Sequence, residues 1–384
     1  MRRLLAGLLA VMALTDCKCM TRSLDDAFNG VDRSNAVPVS ERARAEHLTI
    51  PVVDLHSDAL LWSRSLLERT DIGHVDLPRM LEGGMALQVF GVVTRTPLLI
   101  NFTANPDIVD SISMLSRVDG WPEAALSSPL ERARFQAGKL HDAAKQSRGT
   151  LTVITNQRQL DEHLAAWRVD HHRTAGMLAL EGGYPVEGNP DNLQPLFDAG
   201  VRMIGLSHFL DSDLGGSAHG WRKGGLTPLG QKVVERMEQM GITVDIAHAA
   251  PALIDDLLPV VTRPIVVSHT GVKGVCPGVR NISDAHVQGV ARTGGVVGIG
   301  FFKAAVCGIS VKSVVDGILY VRALVGVQHV SLGSDFDGMV KTGVDASQLA
   351  EITQELLARG LTHDEVYAIM GGNALRVLRG NLPP

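Results

Sequence analysis

Eight short apolar runs, separated by segments with helical periodicity, limit the folds open to this chain more than any other feature of its sequence. Near-continuous apolar strands that alternate with amphipathic helices are typical of a parallel sheet covered on both faces. Eight such units in 384 residues predict an α/β fold, a closed (β/α)8 barrel of the TIM type. The predicted strands are 51–56, 85–93, 176–181, 201–207, 242–247, 264–269, 294–300 and 329–334.

The segments between these runs carry the matching helical pattern. Thr227 and Pro228, for example, suit the cap and the first turn of a helix. Residues 97–170 are too many for one crossover, so we predict a helical insertion after the second strand. Its predicted helices are 105–119, 130–147 and 156–167, and those farther along the chain are 227–240, 251–258, 284–292, 311–325 and 347–359.

Five of the runs end in a side chain that can bind a metal or move a proton. Residues i and i+2 of a strand project to the same side, so His56 and Asp58 point at one place where the first run ends. In a TIM-type barrel the C-terminal ends of all strands meet at the face that holds the active site. A single histidine there would usually be structural, but the whole set predicts a shared site. Its members are His56, Asp58, Glu181, His248, His269 and Asp335.

Imidazole and carboxylate groups are suitable ligands for zinc. Three histidines and two acids would over-supply one ion, so we predict two Zn2+ per chain that share the carboxylate of Glu181. His56 and Asp58 would complete one metal position, and His248 and His269 the other. Two ions so placed hold a bridging hydroxide that can attack a carbonyl at neutral pH.

The carboxylate of Asp335 lies in the loop after the last predicted strand. We predict that it takes the proton of the hydroxide and delivers it to the leaving amine. The alternative is a turn cap, a role that Asp337 fits better.

The first residues have the composition of a targeting segment. Arg2 and Arg3 precede the apolar stretch 4–14, which is shorter than the roughly 20 residues that span a bilayer. We therefore predict a signal peptide over 1–19 and export, in bacterial style, to the periplasm or to a membrane as a lipoprotein. Cys17 is the candidate lipidation site, and ordinary cleavage nearby is the alternative.

Beyond that segment, residues 20–47 are polar and lack periodicity, and we predict a tether followed by a short helical lead-in. Residues 48–384 are predicted to form one catalytic barrel domain. The net charge of −5 offers no basic surface for nucleic acid. Cys276 and Cys307 are the cysteines of this domain, and export would favour a disulfide over two buried free thiols.

Taken in order, the motifs resemble those of the membrane dipeptidase (renal dipeptidase) family of metallopeptidases. The resemblance extends from about residue 52 to residue 382 and is carried by many separate stretches. The matching stretches are 53–58, 73–78, 180–183, 225–230, 244–248, 268–270, 280–281, 333–338 and 371–373.

The resemblance implies hydrolysis of dipeptides, including those with a C-terminal D-residue, at a two-zinc site, and its ligand pattern falls on the five residues given above. It also implies that His208 contacts the substrate and supports the oxyanion, and that Arg280 binds the C-terminal carboxylate. From the residues alone, His208 could equally be structural and Arg280 a surface charge. The family further implies a disulfide between Cys276 and Cys307 and a homodimer.

Two other functions stay open at this stage. One is another binuclear amidohydrolase acting on N-acyl amino acids or lactams, against which Arg280 argues because it suits a carboxylate beside the scissile amide. The other is a surface binding protein without catalysis, against which the retention of all five ligands and Asp335 argues. Tyr184 stands where many relatives carry histidine, so side-chain preference is left open.

Overall fold

A computed structural model describes residues 17–384, with side chains from Thr21 onward. Within this part of the chain, nine parallel strands form one sheet in the order β2-β1-β9-β8-β7-β6-β5-β4-β3. Pairing of β2 with β4 closes eight of them into a barrel, and β3 pairs only with β4. The strands are β1 Val52–Ser57, β2 Met85–Val93, β3 Leu151–Val153, β4 Thr174–Glu181, β5 Val201–Gly205, β6 Thr243–Asp245, β7 Val266–Thr270, β8 Val296–Ile299 and β9 Val330–Leu332.

The predicted (β/α)8 barrel is therefore confirmed, and each predicted barrel strand has its counterpart. The extra strand β3 was not predicted. It has only three residues, and two of them are half-buried, so it lacks the long apolar run that marks the barrel strands. It lies within the predicted insertion and pairs with the first residues of β4, Thr174 to Gly176.

The helices cover the outside of the barrel, and those predicted after β5 begin and end within a few residues of the expected positions. Thr227 caps the helix that starts at Pro228, because its hydroxyl accepts the N–H of Gly230 at 2.9 Å. The helices are α1 Cys17–Phe28, α2 Glu41–His47, α3 Leu77–Glu82, α4 Ser111–Val118, α5 Glu123–Ser127, α6 Pro129–Gln146, α7 Gln157–Trp167, α8 Leu193–Asp198, α9 Pro228–Met240, α10 Pro251–Leu257, α11 Asp284–Arg292, α12 Lys303–Val306, α13 Val311–Val325, α14 Ala350–Ala358, α15 His363–Tyr367 and α16 Asn373–Asn381.

The segment before the barrel differs from the predicted tether, because it is folded against the barrel from α1 onward. Asp25 is buried and bonds Arg64 at 2.8 Å, and the side chain of Asn29 accepts the N–H of Met339 at 2.9 Å. Leu24 also packs against the apolar cluster that contains Trp62. Because much of the docking is through polar side chains, the segment resembles a tether in the sequence. Helix α2 occupies the position of the predicted lead-in.

Most of the predicted signal peptide lies outside the described residues, and so does the side chain of Cys17. No helix among the described residues combines the length and the apolar content that crossing a bilayer requires. Cys276 and Cys307 form a disulfide with their Cα atoms 5.4 Å apart, which joins the loop after β7 to the end of α12.

Asp337, in the loop after β9, is the centre of a buried polar network. Its carboxylate accepts the backbone N–H groups of His74 at 2.7 Å and Val75 at 3.1 Å, and forms an ion pair with Arg64 at 2.6 Å. Arg64 also bonds Asp25 in α1. This network links the N-terminal helix to the loops after β1 and β9. The Arg64 guanidinium and the hydrogen bonds from His74 outweigh burial and hold the pKa of Asp337 well below its usual range.

We predict that Asp337→Ala lowers the free energy of unfolding by about 3–5 kcal/mol, because it breaks a buried ion pair. The exposed pair of Asp161 with Arg379 gives the control Asp161→Ala, for which we expect at most about 1 kcal/mol. Since folding lowers the pKa of Asp337, its contribution is present above about pH 4 and is lost as the pH falls further. Denaturant titrations at several pH values measure both effects, and equal losses for the two variants would contradict the prediction.

Candidate active site

The C-terminal ends of the strands bring the six residues predicted from the strand ends to one place. Glu181 ends β4, and its Oε1 atom lies 3.2 Å from Nε2 of His248 and 3.2 Å from Nε2 of His269. Nε2 of His56 lies 3.5 Å from the same oxygen and 3.3 Å from Oδ1 of Asp58. The four residues around Glu181 are all buried: His56, Asp58, His248 and His269. The predicted grouping around Glu181 is therefore present in the structure.

His208 joins this cluster from the loop after β5. Its Nε2 atom lies 3.3 Å from Oε1 of Glu181, and its ring packs edge-on against the ring of His248 with centroids 4.6 Å apart. Four imidazoles thus face a single carboxylate oxygen. From the residues alone, His208 could equally be structural. The structure places its ring within the cluster.

The chemistry of these donors fits a metal. Buried atoms without a hydrogen-bond partner include Oδ1 of Asp58, Oε2 of Glu181 and both ring nitrogens of His56. Buried polar atoms without a partner are costly, and a cation would satisfy the lone pairs among them. Three sets of donor atoms lie within 4.8 Å of one another: His56, Glu181 and His269; Glu181, His208 and His248; and His56, Asp58 and Asp335.

The titration behaviour of the cluster agrees with its use as a cation site. Burial lowers the pKa of His208, His248 and His269 well below the usual value, which keeps these imidazoles neutral. Burial would also lower the pKa of His56, but the carboxylates of Glu181 and Asp58 raise it to about 10. Positive charge is therefore favoured beside Glu181, and a bound cation would displace the proton held there.

Asp335 follows β9 and faces the same cluster, with its Oδ1 atom 4.0 Å from Nε2 of His269. Burial raises the pKa of Asp335 to about 7, which suits a group that gains and loses a proton near neutral pH. Its backbone has φ of 64°, and His248 has φ of 63°, in the left-handed region that such residues rarely adopt. Strained backbone of this kind is concentrated at functional sites.

Arg280 lies beside the cluster and not on the surface. Its Nη2 atom donates to the carbonyl of His269 at 2.6 Å, while its buried Nη1 atom has no partner among the described residues. Burial lowers the pKa of Arg280, and the negative charges of Asp335 and Glu181 act in the opposite direction. The guanidinium is therefore fixed at one end and has donors left for a ligand.

The family comparison agrees with this geometry. The family described as "Membrane dipeptidase (Peptidase family M19)" matches residues 40–381. The chain belongs to this family. Membrane dipeptidases are metallopeptidases, so this protein is a metallo-dipeptidase, a hydrolase of dipeptides.

Individual relatives are distant but extend along most of the chain. A dipeptidase of Aspergillus oryzae, aclJ, is 28% identical over 354 residues, which cover 86% of this chain and 78% of the relative. Mouse dipeptidase 3 is 29% identical over 219 residues, or 54% of this chain and 44% of the relative. The crystal structure of the family member called dipeptidase AC shares the fold, with a TM-score of 0.72 at 23% identity over 88% of this chain and all of the other.

Tyr184 lies beside this cluster, and the sequence marked it only as a departure from the relatives. Its buried hydroxyl accepts the N–H groups of His208 at 3.1 Å and Leu210 at 3.2 Å and donates to the carbonyl of Leu210 at 2.7 Å. The tyrosine therefore fixes the loop that presents His208. Its position directly after the glycines that follow Glu181 was the available signal.

Gly91, in β2, was also missed. A Cβ atom there would lie 2.5 Å from Oδ1 of Asp58 and 2.7 Å from Cε1 of His56. The absent side chain makes room for His56 and Asp58, which the end of β1 contributes to the cluster.

We predict that Gly91→Ala lowers the metal content of the purified protein, because the added methyl group displaces His56 and Asp58. Gly138→Ala is the matched control, since a Cβ atom there meets nothing within 4 Å and the residue lies in helix α6. That control should keep its metal and gain up to about 1 kcal/mol of stability. Metal analysis after dialysis and thermal unfolding test both variants, and wild-type metal content in Gly91→Ala would refute the prediction.

Proposed function

We propose that the chain is a dipeptidase that uses two Zn2+, with Glu181 shared between them. His56 and Asp58 would hold one ion, and His248 and His269 the other. The observation that carries this proposal is the placement of several imidazole Nε2 atoms within 3.5 Å of Oε1 of Glu181. An oxygen surrounded in this way fits a carboxylate that lies between two cations.

When bound, the two ions would polarise the scissile carbonyl and make a water molecule acidic enough to attack it near neutral pH. Asp335 takes a proton during the attack and delivers it to the leaving amine. Its buried position raises its pKa to about 7, so it can act as a base and then as an acid at the same pH.

His208 has a separate role in the proposal. Burial keeps its imidazole neutral, and a neutral ring can donate one N–H to the oxygen on which negative charge develops. Tyr184 holds the backbone of His208 in place for this contact.

Arg280 would bind the C-terminal carboxylate of the dipeptide. Its unpartnered Nη1 atom and its planar guanidinium suit two parallel hydrogen bonds to a carboxylate. A metallopeptidase of Rhodobacter sphaeroides, with a TM-score of 0.69 at 22% identity, was crystallised with a phosphinate mimic of the dipeptide L-Ala-D-Ala. It covers 87% of this chain and 99% of its own, and its ligand supports dipeptides with a C-terminal D-residue as substrates here.

We also propose export, with Cys17 as the lipidated residue of a periplasmic or membrane-anchored lipoprotein, and assembly as a homodimer. Support for export comes from the basic and apolar residues 2–14. The disulfide between Cys276 and Cys307 is compatible with an oxidising compartment.

For Asp335→Asn we expect turnover at least about 100-fold slower than wild type, because the proton carrier is lost, with unchanged metal content. Initial rates on Ala-Ala together with metal analysis test this. Asp161→Asn, on the exposed surface, is the control that should retain wild-type kinetics. Undiminished turnover of Asp335→Asn would reject its assigned role.

Comparison of Ala-Ala with its C-terminal amide tests the role of Arg280. We expect wild-type enzyme to prefer the free acid by roughly 10- to 150-fold in kcat/KM, which corresponds to about 1.5–3 kcal/mol for a hydrogen-bonded charge. Arg280→Gln should lose most of that preference. Equal wild-type rates on acid and amide would instead favour an amidohydrolase that does not read the carboxylate.

A further inference from the structure

Two buried aspartate–serine pairs lie beneath the site, each joining one barrel strand to the next. In the first pair, the carboxylate of Asp245, at the end of β6, accepts the N–H of Ser268 at 2.8 Å and its hydroxyl at 2.6 Å. The same carboxylate accepts the N–H of Ala247 at 3.0 Å. Ser268 lies in β7, immediately before His269.

The hydroxyl of Ser268 also contacts the next side chain, with its Oγ atom 2.8 Å from Nδ1 of His269. A serine hydroxyl has a single hydrogen, and Ser268 donates it in the hydrogen bond to the carboxylate of Asp245. The oxygen can then only accept from His269, so Nδ1 carries the ring proton and Nε2 keeps its lone pair. That lone pair lies on the atom 3.2 Å from Oε1 of Glu181.

The second pair has the same construction but a different neighbour. Asp54 in β1 accepts the N–H of Ser334 at 2.7 Å and its hydroxyl at 2.7 Å. Ser334 immediately precedes Asp335, and its Oγ atom accepts the N–H of Phe336 at 3.0 Å. The same Oγ atom lies 3.0 Å from the carbonyl oxygen of His56. It forms no hydrogen bond to an imidazole among the described residues, so it holds backbone, at His56 and around Asp335, and not a ring nitrogen.

The remaining proposed histidine ligands lack such a partner. The Nδ1 atoms of His56 and His248 are buried without a hydrogen bond to any described residue. Among these ligands, His269 is thus the imidazole whose Nδ1 atom is bonded by the protein, while its Nε2 atom lies 2.9 Å from Nε2 of His248 and can accept a hydrogen from that ring. Groups that bond the outer nitrogen of a ligating histidine orient the ring and strengthen metal binding.

We propose that Asp245 and Ser268 are positioning residues that hold His269 in its metal-binding tautomer and set the metal affinity, whereas Asp54 and Ser334 position Asp335 and set the turnover rate. The proposal rests on the metal site proposed above. It predicts that two similar pairs affect different measurable properties: one pair affects the metal affinity and the other affects the turnover rate.

The test compares Ser268→Ala with Ser334→Ala, which remove the same hydroxyl from equivalent pairs. Zinc affinity is measured by competition with a chelator, and turnover is measured at saturating zinc. We expect Ser268→Ala to bind zinc about 10- to 100-fold more weakly than wild type. Ser334→Ala should lose less zinc affinity than Ser268→Ala, because its hydroxyl reaches the backbone of His56 and no ring nitrogen, and it should show a lower kcat. Ser268→Thr, which keeps the hydroxyl, should restore the affinity.

Wild-type zinc affinity in Ser268→Ala would overturn the inference, and so would equal affinity losses in the two alanine variants. Wild-type protein that takes up no zinc would overturn the metal site itself, and the inference with it. If Ser268→Ala does not fold, long-range 1H–15N NMR of histidine-labelled wild-type apoprotein decides the matter. His269 protonated at Nδ1 supports the inference, and protonation at Nε2 overturns it.

Discussion

The concentration of buried lone pairs around Glu181 is the constraint on which the rest of the site depends. Four imidazole Nε2 atoms lie within 3.5 Å of Oε1 of Glu181, and several buried polar atoms around it have no hydrogen-bond partner among the described residues. Such a cluster is unfavourable in a protein interior unless positive charge compensates it. The raised pKa of His56 shows the same demand, since a proton is retained where the carboxylates are crowded.

The barrel can maintain this arrangement because buried carboxylates beneath the site form hydrogen bonds with the backbone of neighbouring segments. Asp54, Asp245 and Asp337 are buried carboxylates, and each accepts backbone N–H groups from a neighbouring strand or loop. These bonds fix the loops that carry Asp335 and His248, both of which have left-handed backbone. The energy of the strained loops is thus offset by hydrogen bonds outside the site itself.

The sequence predicted the barrel and the grouping of the candidate metal ligands for one reason. Apolar runs mark the barrel strands, and a closed barrel brings their ends together, so His56, Glu181 and His269 could be placed without any contact information. Short or polar features escaped this approach. Strand β3 has three residues and no continuous apolar run, and the segment before the barrel is held largely by polar side chains such as those of Asp25 and Asn29.

Contacts between neighbouring strands and loops could not be predicted from the sequence, for a different reason. Whether Ser268 bonds Asp245 depends on the register between β6 and β7, which no local pattern specifies. The hydroxyl of Tyr184 bonds backbone that lies more than twenty residues farther along the chain. The roles of His208 and Arg280 came from the family resemblance, because a single polar residue after a strand has no distinctive spacing. The structure adds their location beside Glu181.

The ion pair of Arg64 with Asp25 has a consequence for where the folded unit begins. The family match starts at residue 40, yet Thr21, Asp25 and Asn29 are already buried against the barrel. A chain trimmed to the matched region would leave Arg64 with one carboxylate partner instead of two, next to the loop that holds Asp335. The folded unit in the structure therefore begins before the matched region and includes helix α1.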